Sequence, residues 1–283
     1  MCSYAVPIGT AVNRGARIKV GNIWLDPLKE REVISIVREA WATGRGGTVI
    51  TVNADIARAG ARNPPLAELI DSGSLVLADG MPLVWATRIA GPKLPERVTG
   101  SSLVLSLSEA ATNDGRSVFV LGGAPDVPAK AAEALRARYE GLNIAGTASP
   151  PFGFDQTDEG ISQAVTAVAA AAPDLVLVGL GFPKQERLIA HLREAWPTAW
   201  YLACGAGLSM AAGDFRRASP LLQRLGLEWA HRLALEPGRL ARRYLHDDLP
   251  FAAGLLARFT AQRFGSVFPL RSERERRRSS PNA

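Results

Sequence analysis

Short runs of apolar and β-branched residues recur along the first three quarters of the chain, and longer stretches with helical spacing separate them. Thr48–Val52, Ser74–Ala78, Ser117–Leu121, Asn143–Thr147, Asp174–Gly179 and Ala199–Ala203 read as strands. Pro27–Thr43 reads as a helix, because Val33, Ile34, Val37 and Trp41 return at helical intervals. A second helix begins near Ala54, and others cover Met81–Ile89, Ser101–Thr112, Pro125–Tyr139, Glu159–Ala171 and Lys184–Ala195. Regular alternation of strand and helix predicts an α/β fold, a Rossmann-like and mainly parallel sheet with helices on both faces. In such sheets ligands sit beyond the carboxyl ends of the strands, so chemistry is to be sought there.

After Gly213 the strand signals stop. Ser219–Leu235, Pro237–His246 and Leu249–Phe264 read as consecutive helices, with Pro220, Pro237 and Pro250 near first turns, where proline is tolerated. Residues 271–283 have little to bury and are expected to be disordered. The chain therefore divides into an α/β body over 1–215, a basic amphipathic helical appendage over 216–268 and a tail over 269–283.

Charge sharpens this division. The net charge is +6, yet residues 216–283 hold fourteen arginines, no lysine and six acids, so the rest of the chain is slightly acidic. An arginine-only basic quarter points to a phosphate-bearing partner, because the guanidinium fork bonds phosphate in a bidentate way. With 47% hydrophobic and 21% charged residues, the body has ample material for a core. Two distant cysteines, Cys2 and Cys204, exclude a disulfide framework and a cysteine zinc cluster. The N-terminus reads without a signal peptide. The apolar stretch Leu249–Ala257 is far short of the roughly 18–20 residues that span a bilayer. The expectation is a soluble or peripheral cytoplasmic protein.

Candidate chemistry lies at the predicted strand ends. Thr51 and Asn53 close the first strand, where they either cap the next helix or bind sugar hydroxyls and phosphate. Asp79 follows the second strand, either as a helix cap or as a general base facing the crevice. Arg97, in Glu96-Arg97-Val98-Thr99-Gly100, reads as a surface ion pair or a substrate-binding guanidinium. Leu121-Gly122-Gly123-Ala124-Pro125 reads best as a tight turn, since neither a G-x-G-x-x-G nor a P-loop pattern is present. Gly179-Leu180-Gly181-Phe182-Pro183-Lys184-Gln185-Glu186 is a preset turn aimed at the crevice, and its glutamate is compatible with ordinary helix-dipole matching. Arg232, Arg239, Arg242 and Arg243 surround Glu236-Pro237, as a solvated face or as a diphosphate clamp. The three histidines form no zinc pattern, and no Asp-x-Asp occurs.

Together these segments, with the run Gly226-Leu227-Glu228-Trp229 through Tyr244, resemble the WecG/TagA/CpsF family of glycosyltransferases, glycosyltransferase family 26. The resemblance spans roughly Thr48 to Tyr244. It implies a body of the type called GT-E, with a helical appendage completing the active site at the membrane. The implied reaction is an inverting transfer that needs no metal and no cofactor. A hexose-type sugar, of the N-acetylmannosamine, uronate or glucose class, moves from a nucleoside-diphosphate sugar such as a UDP-sugar to a polyprenyl-diphosphate-linked glycan. By position, Asp79 matches the base, and Thr51, Asn53, Arg97 and Gln185 match substrate-binding residues. Arg232, Arg239 and Arg242 match arginines on the leaving diphosphate. Ser102 and the Cys204-Gly205-Ala206-Gly207-Leu208-Ser209 segment depart from the family pattern, which suits a different sugar or acceptor.

The same resemblance implies a place on the inner face of the cytoplasmic membrane, with oligomeric state open and no nucleic-acid partner. Leu249, Phe251, Leu255, Leu256, Phe259 and Phe264, interspersed with Arg258 and Arg263, suit either an interfacial helix or packing on protein. Two other readings stand beside this one. A nucleotide-sugar dehydrogenase or epimerase fits the body but lacks a G-x-G-x-x-G after the first strand. A nucleic-acid binder would use the arginine tail, although little aromatic–basic interleaving is present.

Overall fold

The structure is a computed structural model that describes residues 16–91, 93–213, 219, 222 and 228–267. The expected α/β fold is present. Six parallel strands, β3 (Gly47–Val52), β4 (Leu75–Ala78), β5 (Ser117–Leu121), β6 (Asn143–Ala148), β7 (Leu175–Val178) and β8 (Trp200–Ala203), form one sheet in the order β4-β3-β8-β7-β5-β6. Every residue of β3, β4, β7 and β8 is buried, as a parallel sheet covered on both faces requires.

The period of two sends alternate residues into two separate cores. Ile50, Val52, Val76, Ala78, Val176, Val178, Tyr201 and Ala203 face one core. Their neighbours Val49, Leu75, Leu77, Leu175, Leu177, Trp200 and Leu202 face the other. The second core is closed by α1 (Glu30–Ala42), α5 (Gly100–Asn113), α6 (Val127–Arg138) and the short α9 (Gly207–Ala211). The first is closed by α2 (Ala54–Arg62), α3 (Pro64–Asp71), α4 (Met81–Ala90), α7 (Asp158–Ala171) and α8 (Lys184–Ala195).

Besides short segments such as α9, two elements were not anticipated. An antiparallel hairpin, β1 (Ile18–Val20) and β2 (Ile23–Leu25), precedes α1. Its residues alternate buried and exposed, and Gly21 takes the positive φ of +63° that its tight turn needs. The other is α3, which opens on Pro64-Pro65, where proline's missing N–H costs nothing.

The C-terminal part is helical, as expected: Glu228–Leu235, Pro237–Arg242 and Leu249–Val267, the last two joined by a π-helical turn at Arg243–Asp248. The final helix packs along α4. Its Leu255 and Phe259 are buried in the first core, with Phe251 and Leu256 packed against it. Packing on the protein's own body thus occupies Phe251, Leu255, Leu256 and Phe259 of the stripe that the sequence left open to a membrane, while Leu249 is exposed. Most of Ser219–Glu228, and the tail over 269–283, lie outside the described residues. Among the described residues, no helix is long and apolar enough to cross a membrane.

Candidate active site

A cavity of about 500 Å³ opens at the carboxyl ends of β3, β4, β7 and β8. That size lies within the range of small-molecule sites. Thr51, Asn53, Asp79, Arg97 and Gln185 all line it, so five positions spread over 135 residues of sequence converge on one space. Gly122 and Gly123 are absent from the lining; both have positive φ and make the tight turn the sequence indicated.

Asn53 makes the helix cap that the sequence allowed. Its side chain caps α2, accepting from Ile56 N at 3.0 Å, and it also lines the cavity. Buried Thr51 donates from Oγ1 to the carbonyl of Ala203 at 3.3 Å, stitching β3 to β8 beneath the cavity floor. Asp79 does not cap α4, whose N-cap is Gly80 with no side-chain bond. Its backbone N–H extends the ladder to Val52 O at 2.8 Å, and Oδ2 accepts from Gly100 N, the start of α5, at 3.4 Å. The carboxylate is therefore held at the cavity by the strand behind it and by a helix N-terminus beside it.

Four helices of eight residues or more, α2, α4, α5 and α8, begin among the residues that line this cavity. Each contributes the partial positive charge of its unpaired N–H groups there, which favours anions. Thr99 caps α5, accepting from Ser102 N at 3.0 Å, and also lines the cavity. Buried Cys204 donates Sγ–H to Val178 O, and burial pushes its thiol up to about 12. It is a wall, not a nucleophile.

The opposite wall comes from the C-terminal helices. Glu228, Trp229, Tyr244, Asp248 and Leu249 line it, with Trp229 and Tyr244 edge to face at 6.2 Å. Arg97 donates from Nη2 to Glu228 Oε2 at 2.9 Å, and both side chains are largely buried. The guanidinium thus joins the two sides of the cavity while lining it. Arg58 of α2 makes a second tie, bonding Asp55 and reaching Asp247 at 3.4 Å and Asp248 at 3.7 Å. Among the described residues, no three His, Cys, Asp or Glu side chains gather as a metal ion would require.

Among the described side chains, no arginine of the C-terminal helices lines this cavity. Arg242 is exposed and absent from the lining, while the side chains of Arg232 and Arg239 lie outside the described residues. Glu228, Tyr244 and Asp248 were not singled out from the sequence as site residues, although Glu228 and Tyr244 fall inside the motif that carried the resemblance.

The family model described as "Glycosyl transferase WecG/TagA/CpsF family" matches residues 18–264. The chain belongs to this family. It is a glycosyltransferase. A curated relative from Bacillus spizizenii, an N-acetylglucosaminyldiphosphoundecaprenol N-acetyl-beta-D-mannosaminyltransferase, is 31% identical over 198 residues, covering 70% of this chain and 75% of the relative. The family match covers both walls of the cavity, so a glycosyltransferase of this kind includes the C-terminal helices as well as the sheet.

Proposed function

We propose that this glycosyltransferase moves a sugar of the N-acetylmannosamine class from a nucleoside-diphosphate donor, such as a UDP-sugar, to a polyprenyl-diphosphate-linked glycan. The acceptor class follows the relative's name, and the observation that carries the chemistry is the Asp79 carboxylate at a cavity ringed by helix N-termini.

Asp79 accepts the proton of the acceptor hydroxyl as that oxygen attacks the anomeric carbon from the face opposite the leaving group. A new C–O bond forms, the bond to the diphosphate breaks, and configuration inverts. The departing nucleoside diphosphate takes the bonding pair. Its growing charge is met by helix N-termini and by guanidinium groups, with no metal ion in the step. Thr51, Asn53 and Arg97 orient the substrates. Arg232, Arg239 and Arg242 meet the charge on the leaving diphosphate; Arg242 is exposed outside the cavity lining and has to swing inward to do so.

The protein works peripherally on the inner face of the cytoplasmic membrane. Trp229, Leu235, Leu245 and Leu249 are large apolar side chains exposed on the arginine-rich C-terminal helices, as docking on anionic lipid requires. The 1–215 body and the 216–268 appendage are accordingly read as a catalytic unit and its docking arm.

The test is incubation with a panel of nucleotide sugars and a polyprenyl-diphosphate-N-acetylglucosamine analogue, in EDTA, with mass spectrometry of the lipid. Gain of one N-acetylhexosamine from the N-acetylmannosamine donor is expected. Transfer only after a divalent ion is restored, or to a water-soluble acceptor alone, would overturn the reading.

A further inference from the structure

Two loops form adjacent parts of the cavity wall: the one after β7, containing Gly179 and Gly181, and the one after β8, containing Gly205. Both Gly181 and Gly205 have positive φ, +78° and +49°, a backbone conformation in which an L side chain would be strained. These amides converge on one atom. Gln185 Oε1 accepts from Gly181 N at 3.2 Å and from Gly205 N at 3.1 Å.

A glutamine amide turned by 180° would place its NH2 against two N–H donors and lose both bonds. What fixes its orientation is the group at its other end. Gln185 Nε2 donates to Glu186 Oε1 at 2.9 Å. Glu186 is buried and is absent from the cavity lining, and its Oε2 has no hydrogen-bond partner among the described residues. Burial pushes its carboxyl up to about 7. A glutamate needed only to match the helix dipole would lie at the surface, where it costs nothing. Here the carboxyl sits on the apolar stripe of α8 with Leu188, Ile189 and Leu192. That cost is offset by the bond to Gln185, which Oε1 keeps as a carbonyl acceptor even when the acid is protonated.

We propose that Glu186 is a positioning residue for sugar transfer: it locks the Gln185 amide so that the Gly181 and Gly205 loops hold one spacing in the cavity wall. This inference rests on transfer taking place in that cavity. Gln185 then acts as a brace, with both ends of its amide engaged, more than as a direct substrate ligand.

The experiment compares Glu186→Met, Glu186→Gln, Gln185→Leu and the Glu186→Met/Gln185→Leu double variant of the full chain. UDP-N-acetylmannosamine and the polyprenyl-diphosphate-N-acetylglucosamine analogue are the substrates. Misplacing a site by about 1 Å can cost about 100-fold, so kcat/KM should fall by about that factor in Glu186→Met and in Gln185→Leu. The double variant should lose no more than either single, because both remove one device. Glu186→Gln keeps an acceptor facing Gln185 and should retain most activity.

Hydrogen exchange gives a readout independent of activity. The Gly181 and Gly205 amides should exchange faster together in Glu186→Met, and stay protected in Glu186→Gln. Unchanged protection in Glu186→Met overturns the lock. Additive losses in the double variant overturn it as well. If the wild type transfers no sugar, the functional reading fails while the exchange result still decides the lock.

Discussion

The two walls of the cavity are built by different physics. On the body side, Thr51, Asp79 and the β7 and β8 loops extend from strands in which every residue is buried; backbone ladders flank β3, β7 and β8 on both sides, and the edge strand β4 is paired to β3. On the other side, Glu228, Trp229, Tyr244 and Asp248 ride on short helices tied down by the Arg97–Glu228 and Arg58–Asp248 pairs and by the seat of Leu255 and Phe259 against the core. The contrast separates tasks. On the function proposed above, a base must hold its place within a fraction of an ångström, whereas a wall facing a long lipid-linked acceptor gains from being able to move.

The largest effect that would break this comparison is in the sheet. Leu177→Ala removes a fully buried side chain and should lower unfolding free energy by about 2–5 kcal/mol in denaturant titration. A loss below about 1 kcal/mol would mean the body is less tightly set than described here.

Next comes the buried carboxyl behind the β7 loop. Glu186 has its folded pKa raised from 4.5 to about 7, so the folded state binds more protons than the unfolded state between those values. Its contribution is therefore full at low pH and is lost as pH rises through about 7, a swing on the order of 3 kcal/mol. Glu186→Gln should flatten the fall in stability between pH 5 and pH 8. Parallel curves for wild type and variant would place this carboxyl in water.

The tie between the walls should be smaller. A double-mutant cycle on Arg97→Ala and Glu228→Ala should give a coupling of about 1 kcal/mol. Each single variant should raise hydrogen exchange over 228–248 and leave β3 and β8 protected. Equal exchange in both regions would show the two walls to be one unit. Least of all, Leu245→Ser at an exposed position should change stability by less than about 0.5 kcal/mol while weakening retention on anionic-lipid vesicles. Unchanged vesicle binding would take Leu245 out of the docking surface.

The same contrast governed what could be read from the sequence. Buried parallel strands announce themselves as apolar runs, and Ser117–Leu121 and Lys184–Ala195 fall where periodicity put them. The cavity residues were legible because strand ends are where such sheets bind ligands, and Thr51, Asn53, Asp79, Arg97 and Gln185 do meet there. The β1–β2 hairpin was missed because three-residue strands are too short for a window of alternation, although Gly21-Asn22 between apolar pairs is a turn signal. Glu186 was set aside as a dipole match; its place one turn before Ile189 on the apolar stripe of α8 was the available sign of burial. The ion pairs to Glu228 and Asp248 join groups 131 and 190 residues apart, which local patterns cannot pair.

One comparison bears most directly on sugar transfer at this cavity: nucleotide-sugar binding and lipid glycosylation measured side by side for wild type and Asp79→Asn. Donor affinity should stay within about twofold, and transfer should drop by about 10²–10⁴-fold, the usual worth of a positioned general base. Glycosylation by Asp79→Asn at the wild-type rate would contradict the account.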